Sequence, residues 1–172
     1  NNNLFHPTYR KHETRLPEYK NDYGEEGTKK DNTIEILNKL SRPAYNKQED
    51  KLQFRKIVDL LRVVTNELEL ELEIPHDLKT ITVHLHNKSL PIEALGTGIH
   101  ELLILATRAV FENNSIVCIE EPELHFHPEI QRQLVRFLFE KTSNQYFITT
   151  HSAHIMDAVP CTIHRIFLDN GK

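Results

Sequence analysis

The sequence predicts an α/β domain: a mostly parallel sheet flanked by helices, preceded by an antiparallel β-hairpin and an N-terminal helical or irregular arm. Three observations carry this. The apolar spacing of the second half switches between helical and strand-like periods, in the order helix, strand, helix, strand, helix, strand. Ile116–Ile119 run without a polar break and end on Glu120, Glu121 and Pro122, which suits a short strand covered on both faces. Earlier, Leu68, Leu70, Leu72 and Ile74 alternate with Glu67, Glu69, Glu71 and Glu73, the pattern of a strand with one buried and one wet face.

At 172 residues the chain can bury one core. A formal net charge of -4 argues against indiscriminate coating of nucleic acid. Cys118 and Cys161 are too few for a disulfide framework or a four-thiolate zinc site, and Cys118 is expected to be buried in its strand. The absence of a bilayer-spanning apolar run or signal pattern leads us to expect no membrane partner and a reducing, cytoplasmic setting.

Residues 1–47 read as a polar irregular segment or insertion, and 48–172 as the structured lobe. The polar start, Asn1-Asn-Asn, suggests an interior piece of a longer polypeptide or a loop. Gly24-Glu-Glu-Gly-Thr-Lys-Lys30 is not a phosphate loop, because a P-loop needs four residues between its glycines and Lys-Ser/Thr after the second. It is read as a solvated turn. From Gln48 to Asn66, Phe54, Ile57, Val58, Leu61 and Val64 define one face of an amphipathic helix. Strand residues 68–74 lead through a Pro75–Lys79 turn into a second strand carrying Ile81, Val83 and Leu85. His84 and His86 then share that strand's polar face, read as a wet face before a metal site.

Leu95-Gly-Thr-Gly-Ile-His-Glu101 opens a helix bearing Ile99, Leu102, Leu103, Ala106 and Val110, with Thr97 as the expected N-cap. Glycines before a helix N-terminus leave room for an anion, although an ordinary Gly-containing helix start reads the same way. After the central strand, Pro128 suits the first position of a helix to about Lys141, with Ile130, Leu134, Phe137 and Leu138 inward. Tyr146–Thr150 follows as a strand. Ser152 caps a short helix through Val159, and Ile163–Leu168 is expected as a last strand before the Asp169–Gly171 turn.

Right-handed crossovers bring Glu120, Glu121 and His151 to one sheet edge. Two acids there suit a divalent cation on one and an activated water on the other, and they equally suit solvated loop charges. The ordered set Leu95-Gly-Thr-Gly-Ile-His-Glu101, Ile116-Val-Cys-Ile-Glu-Glu-Pro-Glu-Leu-His-Phe-His-Pro128 and Ile148-Thr-Thr-His-Ser-Ala-His154 resembles the C-terminal half of an ABC-type ATPase domain, a P-loop NTPase-like fold, in its SMC-like and OLD (overcoming lysogenization defect) branch. The resemblance spans roughly residues 68–172.

It implies ATP and Mg²⁺ as ligands, with Glu120 at the Walker B metal position, Glu121 as the catalytic carboxylate and His151 as the switch histidine. Gly96, Thr97 and Gly98 fall in the signature loop, facing ATP held by a second subunit in an ATP-sandwiched homodimer. It further implies a Walker A part of the same protein outside these residues, and an effector such as DNA or a nuclease, in repair or antiviral defence. The chain departs from the pattern in having Glu120 where Asp is usual, and Gly96 where the signature serine stands.

His125 and His127 are assigned by the same resemblance to the loop after Walker B, shaping the dimer interface. Two other classes compete: a zinc-dependent hydrolase built on His125, His127 and Glu123, and a non-hydrolysing nucleotide-binding regulatory module.

Overall fold

A computed structural model describes residues 32–43, 47–124 and 126–166. The Gly24–Lys30 turn, His125, the end of the expected last strand past Ile166 and the Asp169–Gly171 turn lie outside them.

Helix α1 (Thr33–Ser41) buries Ile36, Leu37 and Leu40 against α2 (Gln48–Thr65), which presents Ile57, Val58, Leu60 and Leu61. Thus the described part of the N-terminal arm, expected to be helical or irregular, is a helix within the core. Helix α2 ends at Asn66 in the left-handed region (φ 57), whose N–H caps the Arg62 and Val63 carbonyls.

The next elements differ from expectation in length and number. The expected strand over 68–74 shrinks to β1 (Glu71–Glu73), because Glu67–Leu70 closes a turn in which the Leu70 N–H donates to the Glu67 carbonyl. Leu68 stands 83% exposed, breaking the alternation at its first member, while Leu70 and Ile74 are buried. β2 (Thr82–Leu85) pairs antiparallel with β1, as expected, and also with β3 (Lys88–Pro91). His86 sits not on the strand face beside His84 but in the tight turn between β2 and β3, at φ 53. Arg42 and Arg62 anchor this sheet to the helices, donating to the Ile74 and Leu70 carbonyls at 2.7 and 2.9 Å.

A 3-10 turn (Ile92–Leu95) leads into α3 (Thr97–Phe111), the most buried helix, with Leu102, Leu103, Ala106 and Ala109 inside. β4 (Ile116–Glu120) and β5 (Gln145–Thr149) pair in parallel, with Glu120 opposite Thr149, across α4 (Pro128–Lys141). The chain is therefore α/β, with helices packed against a parallel pair, and its sheets are small. The described elements cover only one face of that pair. Val117 and Ile119 are buried, whereas Ile116 and Phe147 stand 58% and 57% exposed and Cys118 is exposed, contrary to the expected two-sided burial. After β5 a single helical turn, α5 (Ala153–Met156), stops short of the expected Val159. Residues 163–166 are exposed coil with no strand pairing, since no neighbouring strand is present among the described residues to take their hydrogen bonds.

Candidate functional site

The carboxyl edge of β4 and β5 gathers the acids and the histidine. Glu120 is the last residue of β4, exposed, and its carboxylate makes no hydrogen bond or ion pair among the described residues. Glu121 turns the chain out of the sheet at φ 42, a left-handed conformation uncommon for a non-glycine residue. Its N–H donates to the Thr149 carbonyl at 2.8 Å, so the turn is pinned to the end of the neighbouring strand. Pro122 is buried and cannot extend the ladder. The outcome is that Glu121 Oε1 lies 3.4 Å from His151 Nε2, with the imidazole 89% exposed and the carboxylate half-exposed. Glu121 and His151, expected at one edge, are brought into direct contact.

A second layer of polar contacts holds the two loops together. Glu123 accepts from Thr150 Oγ1 (2.8 Å) and from the His151 N–H (2.6 Å). Thr150 Oγ1 accepts from the Ser152 N–H, and Ser152 Oγ donates to Gln131 Oε1 at 2.5 Å. Gln131 is buried, and its Nε2 donates to the Phe126 carbonyl at 2.8 Å, returning to the loop after β4. Ser152 caps α5, as expected, by accepting from the His154 N–H. Arg132 reaches His154 Nδ1 at 2.8 Å. At the start of α4, Glu129 is held below the ordinary carboxylate range by the hydrogen bond from Gln133, with Arg132 and Arg136 adding positive charge.

Gln131 and Thr150 had no role in the sequence reading, and Glu123 entered only as a possible zinc ligand. One signal was available: Gln131 is polar yet shares the helical stripe of Leu134, Val135 and Leu138.

The remaining candidates stand apart from this cluster. His127 is the N-cap of α4, its Nδ1 accepting from the Glu129 N–H at 3.4 Å, with Pro128 in the first helical position as expected. Among the described residues no group of three His, Cys, Asp or Glu side chains is placed to hold a metal ion. Gly96, not Thr97, is the N-cap of α3, with φ 99 and ψ 156, and Thr97 begins the helix without a side-chain cap. Thr97 is exposed and Gly98 half-exposed in that first turn. No hydrogen bond or ion pair among the described residues connects Gly96–Gly98 to Glu120, Glu121 or His151.

This carboxyl edge, with a carboxylate that has no partner among the described residues, a carboxylate–histidine contact and a glycine-bearing helix start elsewhere in the chain, is the kind of place where open α/β folds take their ligands. The chain belongs to the AAA ATPase domain family, whose profile matches residues 1–156. Over 76 residues it is 37% identical to an OLD nuclease of Thermus scotoductus, a match covering 40% of this chain and 14% of that protein. The crystal structure of an SmcHead bound to the C-winged helix domain of ScpA superposes with a TM-score of 0.45 at 17% identity, over 74% of this chain and 47% of that one. No helix among the described residues is long and apolar enough to cross a membrane.

Proposed function

We propose that this chain supplies the hydrolytic edge of an ATPase acting as an ATP-sandwiched homodimer, joined to a Walker A part of the same protein. The observation that carries the reading is the Glu121–His151 contact at the carboxyl edge of the parallel strands, with Glu121 in a left-handed turn. Backbone strain of about 1–3 kcal/mol persists where surrounding structure over-determines it, often at functional positions.

Glu120 fits a hard divalent cation: it is an oxygen donor at the strand end, exposed and free of competing protein partners among the described residues. Mg²⁺ bound with the nucleotide supplies charge neutralisation at the phosphate oxygens. Glu121 orients a water and accepts its proton at a carboxylate oxygen. His151 Nε2, within reach of that carboxylate, donates toward the negative charge that develops on the transferred phosphoryl group. Thr97 and Gly98 offer the N–H groups of the first turn of α3 to nucleotide on a second copy, and Gly96, whose own N–H donates to the Glu93 carbonyl, leaves the approach to them open. The likeness to an OLD nuclease supports a nuclease as the effector; action on DNA in repair or defence against phage, and a cytoplasmic setting, follow from the motif resemblance as parts of the same proposal.

The test is ATP turnover by the intact protein that contains this domain, beside its Glu121→Gln variant, with size-exclusion runs in ATP. The parent should hydrolyse ATP. Glu121→Gln should lose at least about 100-fold in turnover, the scale of a general-base contribution, and accumulate as an ATP-bound dimer. Equal turnover by the two proteins would remove Glu121 from the mechanism.

A further inference from the structure

Glu123 lies two residues beyond the proposed catalytic carboxylate, yet its side chain points away from any ligand role. Both of its oxygens are occupied, one by the Thr150 hydroxyl and the other by the His151 N–H. At 2.6 Å the second is a short N–H···O bond to a carboxylate, the stronger class of hydrogen bond. The two bonds run between the loop after β4 and the loop after β5, which carry Glu121 and His151 respectively. His151 has little else to hold it. Its ring is 89% exposed and, among the described residues, its side chain meets only Glu121, at 3.4 Å. A side chain so exposed is placed by its backbone, and its backbone N–H is held by Glu123.

We infer that Glu123 is a positioning residue: it clasps the main chain at Thr150 and His151 to the loop after β4 and thereby sets the imidazole against Glu121. The inference rests on the function proposed above. The Ser152–Gln131–Phe126 chain of hydrogen bonds also ties the same two loops together, so the clasp acts on a segment already limited in its movement. Glu123 does not touch the reacting atoms and acts through His151. The engagement of both its oxygens also sets it apart from a carboxylate kept open for a metal ion.

Two measurements on the intact protein test this. The first is amide hydrogen exchange at His151 in the parent, Glu123→Gln and Glu123→Ala. Loss of a hydrogen bond to a charged acceptor should speed exchange roughly 10- to 100-fold in Glu123→Ala. Glu123→Gln should fall between, because its amide oxygen can still accept from the His151 N–H while its NH₂ turns to the Thr150 hydroxyl. The second is ATP turnover of each Glu123 variant in the parent and in a His151→Ala background.

A residue acting through His151 should lower kcat in the parent with KM for ATP little changed, and should add nothing once His151 is gone. Unchanged His151 exchange in both Glu123 variants overturns the inference. So does an equal loss of turnover in both backgrounds, which marks a general folding defect. Should Glu123→Ala not fold, Glu123→Gln carries both comparisons. If Glu121→Gln leaves turnover intact the ATPase mechanism fails, while the exchange comparison still decides whether the clasp exists.

Discussion

Gly96 holds φ 99 and ψ 156, a region open in practice to glycine alone, yet a Cβ built there meets nothing within 4 Å. The conformation, not crowding, therefore requires glycine. Gly96→Ala should cost about 1–3 kcal/mol in urea unfolding, with no gain from a larger side chain in the open space. A neutral result would show that the turn relaxes. The pattern Leu95-Gly-Thr-Gly98 made a helix start legible but put the cap one residue late, since Thr97 is the commoner capping type and the strained backbone of Gly96 has no sequence signature. At the sheet edge, Glu120 and Glu121 were readable because they end an apolar run, and His151 because it follows the next strand, two threonines after its last apolar residue. Glu123 was not, because carboxylates two residues apart look alike until their hydrogen-bond partners are known.

Asn144 shows how one side chain can set the relation of whole elements. Its Nδ2 donates to the Ala109 and Glu112 carbonyls at the end of α3, both at 2.7 Å, and its Oδ1 accepts from the Ser115 N–H that leads into β4. The residue thus joins the end of α3, the start of β4 and the start of β5, and supports the parallel register from Ile116 opposite Gln145 onward. Asn144→Ala leaves those groups unpaired and should cost about 1–3 kcal/mol, read as a lowered urea midpoint with an unchanged slope. An unaltered midpoint would mean that water replaces the amide. Helices α2, α3 and α4 were legible from their apolar stripes. Helix α1 carries the same signal in Ile36, Leu37 and Leu40, but over a single short stretch inside the polar segment 1–47. β3 escaped notice because Lys88-Ser-Leu-Pro91 has a single partly buried residue, and cross-strand pairing rather than its own propensity makes it a strand.

At the scale of the molecule, the described helices pack on one side of the parallel pair, and Ile116, Cys118 and Phe147 remain on the other. In the 172-residue chain carrying Cys161→Ser, Cys118 should react with a maleimide in native buffer within about tenfold of its rate in urea. Strong protection in native buffer would show that face to be covered. The expectation of a strand covered on both faces came from a run of four apolar residues, and such a run does not say how many layers are present to cover it. Residue type and order sufficed for the α/β class, for the main helices and for placing Glu121 and His151 at one sheet edge, because apolar period and chain breaks are local properties that survive without neighbours. Strand lengths, the exposed outer face, the capping role of His127 and the Glu123 clasp depended on packing. Each is settled by which distant backbone groups come within hydrogen-bond reach, and that distance is not written in any local pattern.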